Sequence, residues 1–424
     1  MAKDEHWREK ELNLEEVKQK YPDVSSFMIL KVDIQRRGIV CTEKALELFD
    51  PKLHSSADTN ESTYLIDGRI KKSPVGLTLR DGTFIPLFYN FTSEKAQREA
   101  YVVDAIDGRL VVTDNKKVID RVSYWERPDF YDKFTSKGIP MSSLVSTRPQ
   151  RLDVTVSDYC HFWDKSGEGC KYCPITPQFR ELQRKSDKPI VERNDVEGVR
   201  ETIREALKQK GRYSSVLLSS GSILSGKEIF DDEVDGYIEL LQAIGDSFES
   251  KKFPSQIVAS AFNEKQLVRL YEETGLMSYT TDLEVLNKEK FEWICSGKAN
   301  HVGYEEWKRR LYAAVDIFGK GNVSTGFVAG VELASPNGFD SEEEALKVIL
   351  EEAEIIGEHG VSFAANVWRA SPHSIFANQN TPSLEYYVRL FEKLDKICRK
   401  NGVGRYTDDY RRCGQHPGND LMRI

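Results

Sequence analysis

Residues 151–174 read RLDVTVSDYCHFWDKSGEGCKYCP. The first part, Leu152 to Ser157, has the apolar and β-branched content of a buried strand. Cys160, Cys170 and Cys173 follow at once, in a C-x9-C-x2-C pattern. A ligand-bearing loop directly after a strand is how parallel α/β folds present their chemistry, because their sites lie beyond the C-terminal ends of the strands.

Downstream of this loop, strand-like and helix-like segments alternate. Strands are expected at Ser215 to Ser219, Gln256 to Ala261, Ser278 to Val285, Val323 to Val331 and Ser362 to Trp368. Helices are expected at Asp195 to Gln209, Asp232 to Ile244, Glu264 to Glu273, Tyr304 to Phe318, Ser341 to Glu358 and Ser383 to Lys400. Asn263 and Ser341 precede acidic first turns, where the helix dipole favours carboxylates. Together with Leu152 to Ser157 this makes six βα units and predicts an α/β fold with a parallel sheet, either doubly wound or a complete or partial barrel. Upstream, the reading is a small α+β domain over residues 1–150. Its β-like runs are Ser26 to Asp33, Val75 to Phe91 with an Asp81-Gly82 turn, and Tyr101 to Thr113 with an Asp107-Gly108 turn. Lys52 to Ser62 reads as a surface loop. The expected division is therefore 1–150, 151–402, and a tail at 403–424.

The 424 residues are 39% hydrophobic and 30% charged, which suits a globular chain. No apolar run reaches membrane-spanning length, and the charged N-terminus MAKDEHWREK lacks a secretory signal pattern, so a cytoplasmic location is expected. A net charge of -8 gives no general electrostatic reason to bind nucleic acid. Seven cysteines, an odd number spread along such a chain, point to metal binding or catalysis rather than a disulfide framework.

Three thiolates on one loop hold three irons of a cubane and leave the fourth without a protein ligand, the open position that a substrate-binding metal requires. The alternative is a zinc site of the three cysteines plus His161, although zinc sites usually show two close ligand pairs and only Cys170 and Cys173 form one here. An iron-sulfur electron carrier without catalytic activity is a further alternative.

With six βα units and Tyr172 directly before the last cysteine, the segment from Arg151 to Gly402 resembles the radical S-adenosylmethionine superfamily. The long first spacing is similar to that of members related to the Elongator catalytic subunit; the helices and strands, including residues 288–293 and 319–332, look most like the biotin-synthase-related branch. The resemblance implies a partial (β/α)6 barrel, a [4Fe-4S] cluster on Cys160, Cys170 and Cys173, and S-adenosylmethionine as co-substrate. It places Ser220, Gly221 and Ser222 where the family has a Gly-Gly-Glu-like turn for the methionyl amino group, with serine in place of the glutamate. Glu284, after Asp282 at the end of the fourth strand, falls where a polar group bonds the ribose. Lys298, Arg309 and Arg310 are candidates for the methionyl carboxylate, and Val328 with Gly330 lies in a stretch similar to the family's adenine-packing G-x-I-x-G. Two glycines four apart in a strand suggest a ligand or backbone in close contact. Asn366, Trp368 and Arg369 are candidates for the substrate side, and either the N-terminal domain or the loop Ala370 to Pro382, with His373 and Asn378, for a lid. A small electron donor such as flavodoxin or ferredoxin is the implied partner. Hydrogen abstraction from an unidentified substrate is the leading expectation; sulfur insertion would need an auxiliary cluster, for which Cys295, Cys398 and Cys413 are the cysteines left over.

Overall fold

The computed structural model describes residues 11–56, 64–66, 69–71, 73–87, 91–177, 180, 194–250, 252–405 and 409–422. The first strands are β1 (Ile39–Cys41), β2 (Tyr64–Ile66), β3 (Arg69–Lys71), β4 (Gly76–Leu79), β5 (Phe84–Pro86), β6 (Tyr101–Ile106), β7 (Arg109–Asp114) and β8 (Lys117–Tyr124). Six of them form a sheet in the order β1-β6-β7-β8-β4-β5, and β2 pairs with β3. The β6–β7 hairpin closes on Asp107 and Gly108, at φ 51° and 71°. Two consecutive left-handed residues make the turn whose twist matches the strands, which is why Asp-Gly marks it. The Asp81-Gly82 turn likewise joins β4 to β5, antiparallel to each other. Of the loop expected at Lys52 to Ser62, residues 57–62 lie outside the described residues.

One expected strand is a helix. Ser26–Arg37 is helical, with the Ser25 hydroxyl accepting from the Met28 N–H as its cap. Residues 28 to 35 are all buried, including Lys31 and Asp33, so no polar face reveals the helical period. The helix packs against β5, the helix Leu384–Lys400 and the chain end at Pro417–Met422. Its polar groups find partners far away in sequence: Lys31 donates to Asp420, and Asp33 accepts from the Tyr101 hydroxyl at 2.6 Å.

The second sheet comprises β9 (Ser146–Arg148), β10 (Arg151–Thr155), β11 (Ser215–Ser219), β12 (Ser255–Ala259), β13 (Ser278–Thr281), β14 (Val323–Ala329) and β15 (Val361–Val367). They lie in sequence order, with β10 to β15 mutually parallel and β9 antiparallel to β10. An order that never reverses, with crossovers of one hand, lays the helices on one face and leaves the other face to the site. The chain is a mixed α/β protein, and each strand expected from Arg151 onward is present within a few residues of its expected bounds. The helix Tyr304–Phe318 matches its expected limits, and Asn263 opens Glu264–Thr274 with a capping box completed by Gln266. The short helices Lys288–Ile294 and Ser296–His301 were not anticipated; each has too few turns to show a periodic face.

Residues 403–405 and 409–422 are packed rather than loose. Arg405 donates to the Ser362 hydroxyl, Gln150 to the Arg412 carbonyl, and Cys413, Asn419 and Asp420 are buried. Among the described residues no helix is long and apolar enough to cross a membrane.

The turn leaving β14 is held by Glu332, 1% exposed, whose carboxylate accepts from the Gly330 N–H and the Tyr386 hydroxyl. Burial pushes this carboxyl from 4.5 up to about 7, outweighing those hydrogen bonds. The folded chain therefore keeps a proton that the unfolded chain releases near pH 4.5. This stabilisation is full below that pH and is lost as the pH rises through about 7. Glu332→Gln, which keeps the acceptor but cannot ionise, should abolish a pH-dependent loss on the order of 3 kcal/mol, read as the difference in urea midpoints between about pH 5 and pH 8. Equal pH slopes in the two proteins would refute the assignment.

Candidate active site

The face of the second sheet opposite the helices is lined by small and polar side chains. Thr155, Ser219, Val258, Thr280 and Ser324 follow one another in register across β10 to β14, and all but Ser324 are partly exposed. Residues paired across strands share a face, so these side chains make one wall. Higher on the same wall Val328 pairs with Asn366, which is exposed although it lies within a strand. A strand core would be apolar; this lining suits a polar occupant.

The cysteine loop caps this wall at the C-terminal end of β10. Cys160 precedes a 3-10 turn, His161–Trp163, and the Trp163 ring packs so closely on Gly169 that a Cβ there would lie 2.4 Å from it. The His161 N–H donates to the Ser222 carbonyl, and the His161 Nδ1 accepts from the Leu224 N–H. That nitrogen is thereby engaged in the loop, which leaves only Nε2 for the zinc alternative. The long first spacing has a structural use. Its far end docks on the helix Ser296–His301: the Gly297 N–H donates to the Glu168 carbonyl, the Ser296 hydroxyl to the Gly167 carbonyl, and Asn300 and His301 meet the Glu168 carboxylate. On the other side the Lys171 carbonyl accepts from the Phe376 N–H, so the loop 370–382, with half-buried His373 and exposed Asn378, lies against the cysteines.

Cys160, Cys170 and Cys173 are all free thiols. Burial and the charge of Cys170 push Cys160 up to about 11 and raise Cys173 further. Cys170 is lowered instead, chiefly by a hydrogen bond from the Cys295 thiol, with another from Tyr172. Among the described residues no three His, Cys, Asp or Glu side chains converge as tightly as a single ion demands. Cysteines of a cubane stand farther apart because each binds a different iron. The mutual influence of the three thiols, and a cradle shaped by glycine, fit such a cluster. A Cβ on Gly221 would lie 2.2 Å from the Tyr159 carbonyl oxygen and 2.8 Å from the Cys160 nitrogen. The turn after β11 thus touches the backbone of the first cysteine, an approach only glycine allows.

The expected site residues are distributed unevenly. Ser220 donates to the Gly221 carbonyl, and the Ser222 and Ser260 hydroxyls are hydrogen-bonded to each other. No glutamate occurs in this turn, but one reaches it from elsewhere: Glu233, fully buried in the first turn of Asp231–Gly245, accepts from the Ile223 N–H, the Ser260 N–H and the Ser260 hydroxyl. Burial raises its carboxyl to about 7. In the sequence Glu233 stands in an acidic run, Asp231-Asp232-Glu233-Val234-Asp235, and nothing there distinguishes it from its solvated neighbours.

Glu284 sits at φ 67°, a conformation costly for a side chain larger than glycine or asparagine, and bridges β13 to Phe327 of β14. Its carboxylate accepts from Lys298 at 2.8 Å, so two of the candidate ligand groups are paired with each other. Asp282, raised to about 6 by burial and by Glu284, accepts from the Gly326 N–H at 2.7 Å. The close approach expected at Gly326 and Gly330 comes from protein side chains. Gly326 faces the Asp282 carboxylate, and Gly330 faces Pro382 and the Tyr387 hydroxyl. Val328 remains on the open wall.

Arg309 lies on the outer surface, 52% exposed and paired with Glu264 and Glu306. Arg310 donates to Glu306 and to the Ala261 carbonyl at the end of β12. Trp368 is buried edge-on against Phe376, and Arg369 stacks over Phe91 with its pKa depressed to about 10 by burial. Cys295 adjoins Cys170, whereas Cys398 neighbours Arg405 and Cys413 neighbours Arg151 and His416.

No protein-family model matches the sequence, and no curated protein matches it. Among solved structures the chain is similar to a radical SAM methyltransferase from Sphaerobacter thermophilus, at 12% identity and a TM-score of 0.41 over 96% of this chain and 98% of that one. It is also similar to methylornithine synthase (PylB), at 14% identity and 0.39 over 62% and 72% respectively. A third likeness is to the cobalamin-dependent S-adenosylmethionine radical enzyme OxsB, at 13% identity and 0.33 over 62% of this chain and 37% of that one.

Proposed function

We propose that this chain is a radical S-adenosylmethionine enzyme whose Arg151 to Gly402 segment forms a partial (β/α)6 barrel, acting by hydrogen abstraction on a polar small-molecule substrate in the cytoplasm. The observation that carries the reading is the three-thiol loop at the C-terminal end of β10, fitted by Gly221 to the turn after β11. Cys160, Cys170 and Cys173 would hold the cluster and leave one iron open. Bound there, a reduced [4Fe-4S] cluster would supply the single electron for reductive cleavage of S-adenosylmethionine. The chain's own part is to hold and enclose. Val328 and the Ser220 to Ser222 turn offer backbone and small side chains to the cofactor, and Asn366 with the polar wall receives the substrate. The loop 370–382, docked on Lys171, limits access of water. A reductant such as flavodoxin or ferredoxin would deliver the electron.

Hydrogen abstraction without sulfur insertion is favoured by the leftover cysteines. Cys295, Cys398 and Cys413 have different neighbours, which supports a chain without an auxiliary cluster. Anaerobic reconstitution with iron and sulfide should give a brown protein holding about four irons per chain, as a cubane requires. That protein should release 5'-deoxyadenosine on reduction with S-adenosylmethionine. Cys173→Ala should lose both properties; a colourless, zinc-replete wild-type protein, or cleavage retained in the variant, would refute the reading.

A further inference from the structure

A lysine is built into the wall beside the thiols. Lys298, 8% exposed, belongs to the helix Ser296–His301, whose first turn is hydrogen-bonded to the cysteine loop through Gly297 and Ser296. Cys295, immediately before that helix, adjoins Cys170. The Lys298 ammonium donates to the Asp282 carbonyl at 2.7 Å and to the Glu284 carboxylate at 2.8 Å, and lies 4.7 Å from the Trp307 ring centroid. Backbone, carboxylate and ring fix its position, and its charge acts on Cys160, Cys170 and Cys295 alike. The titratable groups that feel its charge include Asp282, Glu284, Glu233 and these thiols.

We propose that the Lys298–Glu284 pair is an electrostatic device that sets the reduction potential of the cluster held by Cys160, Cys170 and Cys173. This rests on the function proposed above. A cubane core carrying three thiolates is a net anion and gains a further negative charge on reduction. A fixed cation in a water-poor wall stabilises the reduced form more than the oxidised one and raises the potential. Glu284 partly cancels that field. Lys298 and Glu284 therefore act as opposing positioning charges, neither of them taking part in the transfer of electrons or hydrogen.

Redox titration of the reconstituted holoprotein, followed by the electron paramagnetic resonance signal of the reduced cluster, tests this. Lys298→Met should shift the midpoint to more negative potential and Glu284→Gln to more positive potential, both with wild-type iron content. The double variant should return close to the wild-type value. Because the pair is shielded from solvent, the shifts should persist at high salt. If Lys298→Met cannot be reconstituted, Glu284→Gln alone decides by the sign of its shift. Unshifted midpoints, or shifts of the same sign in both single variants, overturn the proposal. A wild-type protein that forms no cluster overturns the proposed function instead.

Discussion

Gly221→Ala should sharply reduce iron retention while leaving most of the chain folded. The added methyl would stand 2.2 Å from the Tyr159 carbonyl oxygen, 2.5 Å from its carbon and 2.8 Å from the Cys160 nitrogen. All three are backbone atoms, so relief cannot come from a side-chain rotamer. Either the turn after β11 or the strand end carrying Cys160 must retreat. The Gly221 N–H is bonded to the Ser157 carbonyl at 2.8 Å and the His161 N–H to the Ser222 carbonyl at 2.9 Å, so the two segments are clamped together and move only by breaking those bonds. Overpacking of this kind costs about 1–3 kcal/mol. The larger consequence is geometric, since Cys160 is displaced from its partners. Iron per chain after anaerobic reconstitution should fall well below the wild-type value, while the urea midpoint falls only modestly. Gly245→Ala is the control: a methyl there meets only Phe253, at 3.7 Å, and should change neither. Full iron content in Gly221→Ala would show that the turn does not support the first cysteine.

That contrast also marks what was legible in the sequence. The cysteines and the strand before them are consecutive, so spacing alone located the loop. The six βα units were visible because each helix is long enough to display an apolar stripe, as Tyr304–Phe318 does with Tyr304, Trp307, Leu311, Ala314 and Phe318 buried. Contacts between distant segments were not visible. Glu233 reaches Ser260 across 27 positions, Lys298 meets Glu284 across 14, and Cys295 meets Cys170 across the whole of three βα units. Arg309 and Arg310 are adjacent in sequence, yet one sits on the surface and the other reaches a strand end; helical direction separated them. Ser26–Arg37 reads as a strand in sequence and is a helix in the structure because burial on every side erases the periodic signal, while Lys31 and Asp33 imitate the alternation of a half-buried strand.

The partner of that buried lysine yields the largest expected loss of stability, from Asp420→Ala. Asp420, 3% exposed, accepts from Lys31 at 2.6 Å and from Arg412 at 3.2 Å, while Lys31 is wholly buried and Arg412 6% exposed. The attraction within such a triad is largely offset by the cost of removing three charges from water, so the intact network adds little net stability. Removing the shared carboxylate is different. Lys31 and Arg412 both lose the carboxylate they share, and breaking a buried pair in this way costs about 3–5 kcal/mol. Lys31 also donates to the Gly414 carbonyl and Arg412 to the Asn419 carbonyl, dipoles that replace a full charge only in part. The damage should spread along the helix Ser26–Arg37, whose Arg36 donates to the Pro382 carbonyl, and Pro382 in turn packs on Gly330 at the end of β14. Urea unfolding should show the midpoint drop, and hydrogen exchange should rise first in residues 26–37. The exposed pair Lys396–Glu392, one helical turn apart, provides the scale: Lys396→Ala should cost no more than about 0.5 kcal/mol. If Asp420→Ala unfolds at the wild-type midpoint, the Pro417–Met422 segment is not the clamp that holds the helix Ser26–Arg37 to the second sheet.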